Sequence, residues 1–498
     1  MPDPPLVARV DPHALFVSEA ERLRFEREVL PSYLRRSRWF AGKASDASKL
    51  SVSETMLLGA STHWAFVDID YADGGRETYQ LLLAVVTPTE AARHPEAALV
   101  PDTKADRVLV DALHFDFARE ALWKLMATGG VRRGERGEVA GVPRAGLDAE
   151  LARRLPASRL LKVEQSNSSL VYNERVFLKL YRKLEAGVNP DAELTRFLSE
   201  RQGFGHVPPF IGALEYRTTD REPRVLGLAV GLVKNRGDAW AWALAQLRAL
   251  YERAEGSADR EFLARVRQLG ARTGEMHRAL ARDATDPAFA PEPLTLADMR
   301  EVADRIRAAA RELPVLLAEK APGAFSGSAR QLASAIEGRA TQLAEGTVTG
   351  AKIRTHGDYH LGQVLETGDD FVILDFEGEP LRPLAYRRQK RSPLRDVAGM
   401  LRSFHYAAHA VLVGRADRAA LEPRAEQWAE DANRAFLDGW LEVARGTAFL
   451  PATEAEIERL LDAFLLEKVI YEVSYELNNR PDWIAIPALG LRRALRLA

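Results

Sequence analysis

"IRTHGDYHLGQVLETGDDFVILDFEGEP", residues 353–380, places Asp358 in a loop leaving a short apolar segment and Asp375 at the end of the apolar run FVIL. Gln363 stands five residues after Asp358. A carboxylate to orient a hydroxyl, an amide oxygen five residues on, and a second carboxylate after a strand form the order of groups in a phosphoryl-transfer site. The usual amide there is Asn; Gln presents the same carbonyl oxygen on one more methylene. An isolated His-Gly-Asp is more often a solvated turn, because short motifs are weak signals. The weight therefore falls on Asp375. A carboxylate closing a buried strand is costly to desolvate unless a cation or hydrogen-bond donors meet it, and magnesium is such a partner.

Working outward, a phosphoryl-transfer site needs a cation for the nucleotide phosphates and a group to hold it. Lys179, in the β-compatible run ERVFLKLYRK, is followed fourteen residues later by Glu193 in a helical segment, NPDAELTRFLSERQG. Strand lysine followed by helix glutamate is the kinase order. A surface lysine on an edge strand is the alternative. Upstream, EQSNSSLVYN (164–173) stands where a Gly-rich loop would be expected. Ser166, Asn167, Ser168 and Ser169 either offer hydroxyl and N–H donors to phosphates or make a polar hairpin turn. The segment 227–240, GLAVGLVKNRGDAW, passes from a strand to a helix start, as a connector meeting an adenine would or as a plain linker.

The rest of the chain sorts by periodicity. Residues 54–86 alternate apolar and polar around Asp73-Gly74-Gly75, a hairpin turn signal. Residues 159–181 and 211–233 read as strand pairs with one helix between them, and from Trp240 onward the pattern is helical. The expected divisions are an N-terminal cap over 1–150, a β-rich part over 151–236 and a helical lobe over 237–498. This is an α+β chain with a β-rich first part and a helical second part.

At 498 residues the chain exceeds one ordinary core. Lys and Arg (69) nearly balance Asp and Glu (71), so no global field points to nucleic acid. The absence of cysteine excludes disulfides, cysteine-bound zinc and thiol catalysis, and it fits a cytoplasmic protein. No run of about 18 apolar residues predicts a membrane span.

The segments RSRWFAGK (36–43), THGDYHLGQVL (355–365), ILDFEGEP (373–380), SPLRDVAGMLRSF (392–404) and LEKVIYEVSYELNNRPDW (466–483) together resemble the bacterial maltokinases, a family of the aminoglycoside-phosphotransferase-like group. That family has Gln where other kinases place Asn. The resemblance covers nearly the whole chain. It implies a bilobal protein-kinase-like fold with an N-terminal cap on the N-lobe, and ATP-dependent phosphorylation of maltose to maltose 1-phosphate for α-glucan synthesis, beside trehalose synthase. It makes Asp358 the catalytic base, Gln363 and Asp375 the Mg2+ ligands, Lys179 the phosphate lysine and Glu193 its partner, with Glu377 and His356 in support.

On the C-terminal helix, Glu467, Tyr471, Tyr475 and Asn479 recur every four residues, with Glu472 and Glu476 beside them. Carboxylates, amides and aromatic faces are what a saccharide site uses. The same spacing also describes core tyrosines of an amphipathic helix. Trp39-Phe40 has the same two readings, and Asp396 is expected to tie the catalytic loop to the C-lobe. A kinase for another sugar, such as glucosamine, is the alternative, for which Glu472 or Glu476 would point into the pocket. A non-catalytic sugar- or nucleotide-binding module is the third reading.

Overall fold

The computed structural model describes residues 15–44, 47–99, 106–148, 150, 157–161, 166–218, 222–253, 258–321, 329–380 and 382–496. Two compact units emerge, one from residues 1–196 and 208–233, the other from residues 197–207 and 234–498. The fold is α+β and kinase-like, with strands concentrated in the first unit and helices in the second.

The first unit holds two antiparallel sheets. Strands β1 (Ala47–Gly59), β2 (Thr62–Tyr71), β3 (Arg76–Val86) and β4 (Val108–Asp111) build one of them, completed by β10 (Lys183–Leu184) on β3. The predicted hairpin forms as read: Asp70 pairs with Arg76, and Gly74 takes φ +87° between them. Alternate residues of β2 enter different cores. Trp64 and Phe66 face one apolar cluster and Ala65, Val67 and Ile69 the other, the period-two consequence of the pleat. A sheet covered on both faces loses its polar alternation, which explains why β2 is almost wholly buried.

The second sheet runs in the order β5 (Val131–Arg133), β6 (Glu138–Pro143), β11 (Phe210–Arg217), β12 (Arg224–Gly231), β9 (Val176–Tyr181), β8 (Asn167–Tyr172) and β7 (Ser158–Leu160). It draws on both sides of residue 150, since β5 and β6 precede that position. Buried Arg182 ties the two sheets' connections together: its guanidinium donates to Asp111 at 2.7 Å and lies over the Trp39 ring. Trp39 thus braces the cap.

The second unit is mostly helical. Its helix Leu394–Ala410 is buried along most of its length, between helices Arg418–Ala444 and Glu454–Asn479. Two short strands, β15 (Val364–Glu366) and β16 (Phe371–Ile373), pair beside the loop that carries Asp358. Among the described residues no helix is long and apolar enough to cross a membrane.

Candidate active site

In the helical unit the loop around Asp358 is fixed from below by one buried carboxylate. Asp396 accepts hydrogen bonds from the backbone N–H groups of His356 (2.8 Å) and Gly357 (3.0 Å). His277 Nε2 reaches it at 3.1 Å, and Trp440 Nε1 donates to His277 Nδ1 at 2.9 Å. With Nδ1 accepting, the imidazole proton sits on Nε2 and points at Asp396. Burial would raise the Asp396 carboxyl, but the His277 hydrogen bond, the nearby histidines and the Gly357 N–H hold it below the ordinary range. Gly357 takes φ +89°, which a glycine adopts without strain. Gly399, on the helix beneath, leaves room for the Tyr359 carbonyl that a Cβ would strike.

Asp358 itself meets Lys468, whose Nζ donates to Oδ1 at 3.1 Å. Among the described residues Oδ2 accepts no hydrogen bond, so one oxygen remains for a hydroxyl. Burial pushes the Asp358 carboxyl up, but Lys468 and His360 outweigh it and hold the group ionised below the ordinary carboxylate range. Lys468 also approaches Glu379 at 3.8 Å, and Glu379 is paired with Arg395 at 3.1 Å and Arg382 at 3.3 Å.

Gln363 and Asp375 meet directly, Nε2 donating to Oδ2 at 2.9 Å. Asp375 adopts φ +67°, a left-handed conformation costing roughly 1–2 kcal/mol for an L-residue. An amide and a carboxylate side by side form a hard oxygen donor set that suits Mg2+. His356 supports the pair from the side: its Nε2 lies 3.0 Å from the Leu374 carbonyl, one residue before Asp375.

A cavity of about 190 Å3 opens on Asp358. Glu467 and Tyr471 line it, as do Arg305, Glu379, Arg395, Lys468 and Ser474. Tyr475 and Asn479 do not. Four-residue steps gain about 40° each on a 3.6-residue helix, and each step also climbs about 6 Å. By Tyr475 the face has turned outward: its side chain is exposed, and the Asn479 amide donates to the Tyr475 carbonyl. Glu472 and Glu476 are also spent elsewhere, on Arg402 and on Arg480 with Tyr406.

The first unit supplies a separate cluster. Lys179 on β9 pairs with Asp191 at 3.2 Å, and the Tyr181 hydroxyl donates to the same carboxylate oxygen at 3.0 Å. The sequence pointed to Glu193 as the partner and did not anticipate Asp191. Asp191 opens the helix Pro190–Arg196, capped by the Asn189 side chain, and lies buried toward the strand. Ser168 and Ser169 are corrected, since they lie within β8 and not in a loop. The Ser168 hydroxyl is taken by Arg182 at 2.8 Å, while Ser169 sits directly across from Lys179. Ser166 and Asn167 stand at the start of the strand.

Sequence reasoning missed Lys468, Glu379, Arg395, Arg305 and Asp191. The signal for Lys468 was present: a Glu-Lys pair interrupts the apolar stretch FLLEKVI on a helix that is otherwise buried there.

A positioned carboxylate, an adjacent amide–carboxylate pair and a strand lysine held by an acid define a kinase-like phosphotransferase. The chain's likenesses narrow that class. Residues 33–114 match the maltokinase N-terminal cap domain. Over 380 residues, 73% of this chain and 82% of the relative, the chain is 29% identical to a glucosamine kinase of Streptacidiphilus jiangxiensis. It is 26% identical over 344 residues, 67% of this chain and 78% of the relative, to a glucosamine kinase of Mycolicibacterium smegmatis. Among solved structures, a glucosamine kinase in complex with glucosamine, ADP and inorganic phosphate matches with a TM-score of 0.65 at 21% identity, covering 98% of this chain and 97% of the other. These likenesses fit a maltokinase- and aminoglycoside-phosphotransferase-like group of kinases and support sugar kinase as the activity class.

Proposed function

We propose that this protein transfers the terminal phosphoryl group of ATP to the anomeric hydroxyl of maltose. The observation that carries the neutral-sugar reading is the charge balance of the cavity beside Asp358. Its lining carboxylates are Asp358, Glu379, Asp396 and Glu467, and its lining cations are Arg305, Arg382, Arg395 and Lys468. Glu379 is paired with Arg395 and Arg382, Glu467 with Arg305 at 2.6 Å, and Asp358 with Lys468. Burial would raise the Glu467 carboxyl, but Arg395 and Arg305 hold it below the ordinary range, so it stays an ion-pair partner. An ammonium group would have to compete with one of these cations or take the Asp358 oxygen that the attacking hydroxyl needs. The cavity is partly open to solvent, so one pyranose ring would sit beside Asp358 and the second ring of maltose further out.

In this reading Asp358 orients the attacking hydroxyl through its unshared oxygen, and in-line positioning supplies most of the rate. Lys179, steadied by Asp191, binds phosphate. Gln363 and Asp375 would hold Mg2+, which neutralises phosphate charge when bound. An association with trehalose synthase accompanies the maltose reading and rests on the sequence resemblance alone.

Glucosamine is the second reading, favoured by two similar proteins that are glucosamine kinases. An acceptor panel of maltose, glucose, glucosamine and an aminoglycoside, with the phosphate position assigned by NMR, separates the two. Turnover greatest with maltose and a 1-phosphate product supports the first reading. Turnover greatest with glucosamine replaces it.

A further inference from the structure

Helix Leu394–Ala410 carries His405 and His409 one turn apart, and Glu426 on helix Arg418–Ala444 faces both. The two histidines are almost fully buried, at 5% and 1% exposure. His409 Nε2 lies 3.0 Å from Glu426 Oε1, and His405 Nε2 lies 3.9 Å from the same oxygen. Neither contact has hydrogen-bond geometry. His405 Nε2, both ring nitrogens of His409 and both Glu426 carboxylate oxygens are buried atoms without a hydrogen bond. Buried polar groups almost always find partners, and three of these atoms, His405 Nε2, His409 Nε2 and Glu426 Oε1, face one point where a common partner would satisfy them.

We propose that His405, His409 and Glu426 bind one divalent transition-metal ion, of the zinc or cobalt kind, with the fourth position open to water. One ligand atom from each residue lies within 4.8 Å of the other two. Tetrahedral ligands at about 2.0–2.1 Å from zinc stand about 3.3–3.4 Å apart, between the two distances found here. Imidazole with a carboxylate selects such ions over Mg2+, and two histidines four residues apart on one helix face present their nitrogens together.

Two arginines border the site. Arg493, on helix Ala485–Ala494, contacts Glu426 Oε2; its side chain is 42% exposed and has solvent to move into. Arg402 NH1 lies 3.3 Å from His405 Nδ1, but its stronger bonds, 3.0 and 2.6 Å, go to Glu472. Metal on His405 Nε2 leaves the proton on Nδ1 and costs only that long contact. Arg493 is then a competitor for the carboxylate. Occupancy would tie helix Leu394–Ala410, which carries Asp396 beneath the catalytic loop, to its neighbour.

The test is a Co2+ titration of the full-length, metal-stripped chain in excess Mg2+, read by visible ligand-field absorption and melting temperature. It is done in a His94→Ala background, so that the surface group His94, Glu96 and His114 contributes nothing. The expected result is one Co2+ with tetrahedral bands and a raised melting temperature. His409→Gln should weaken binding by more than about a hundredfold. Arg493→Gln, at a half-exposed position, should tighten it about two- to fivefold by removing the competing cation. Absence of tetrahedral Co2+ in the parent, bands that survive His409→Gln, or Arg493→Gln failing to tighten binding each overturns the proposal. The Arg493→Gln arm decides if His409→Gln does not fold.

Discussion

Lys179 meets Asp191 at 3.2 Å in the β-rich unit, and Lys468 meets Asp358 at 3.1 Å in the helical unit. The two pairs use the same residue types at the same separation. Their surroundings differ. The Asp191 side chain is 4% exposed and already receives Tyr181 as well as Lys179, so that carboxylate holds a lysine in place. The Asp358 side chain is 22% exposed and gives one oxygen to Lys468, so there the lysine holds the carboxylate. The member that does chemistry is the one its partner leaves a position on, and contact distance alone does not reveal it.

The largest expected effect breaks the second pair from the acid side. Asp358→Asn keeps the shape but loses the charge that draws a hydroxyl, and kcat should fall by about two to four decades while nucleotide still binds. Retention of half the activity would remove Asp358 from the reaction. Breaking the same pair from the lysine side is milder. Lys468→Met deletes a charge-assisted hydrogen bond worth about 1.5–3 kcal/mol, so kcat/KM should drop roughly ten- to a hundredfold. Its pH dependence carries the sign. Asp358 is held below the ordinary carboxylate range chiefly by Lys468 against the opposing effect of burial. Without the lysine, burial dominates and the carboxyl rises. The acid limb of kcat/KM should therefore move to higher pH in the variant. A depressed carboxyl stabilises the fold above its unfolded value and loses that contribution as pH falls through the folded one. The stability gap between wild type and Lys468→Met should accordingly close on acidification. An unmoved acid limb would show that Lys468 does not act through Asp358.

The first pair predicts a smaller change, confined to nucleotide. Asp191→Ala removes one partner of Lys179 and should raise the KM for ATP about tenfold with little change for the sugar. Glu193→Ala, two residues on, should have the lesser effect. If Glu193→Ala proves the more damaging, the ordering of the two acids is reversed and the sequence-based partner is restored.

These pairs also show how far the sequence could be read. Asp358, Gln363 and Asp375 were legible because they belong to one short segment whose spacing is set by a loop and a strand pair. The β2–β3 hairpin was legible because Asp73-Gly74-Gly75 dictates its turn. Lys468 was not, because it reaches Asp358 from 110 residues away, and only the packed helices bring them together. Asp191 was missed for a local reason. Its helix begins at Pro190, and the packing of that first turn on the strand, not the count of residues from Lys179, brings Asp191 to the lysine. Of the four-residue repeat Glu467, Tyr471, Tyr475 and Asn479, only the first two line the cavity, since a repeat of four drifts around a helix of 3.6.

That drift yields the smallest predicted effect and a direct reading of the acceptor face. Tyr471 lines the cavity beside Asp358, and Lys468 lies 5.1 Å from its ring centre. Tyr475 is 40% exposed, with Arg480 over its ring. Replacing an exposed side chain away from the cavity changes free energy by within about 0.5 kcal/mol, so Tyr475→Ala and Asn479→Ala should alter the KM for sugar less than about twofold. Tyr471→Ala removes a wall of the cavity and should raise that KM severalfold while leaving the KM for ATP near wild type. Melting temperatures on the same preparations guard against a pure packing defect, which would lower stability and leave both constants unchanged in the folded fraction. A large sugar-specific effect at Tyr475 would mean that the acceptor extends beyond the enclosed cavity along the outer face of the helix. A second ring of maltose lying along that face would do so, whereas the small effect expected here places any second ring in another direction.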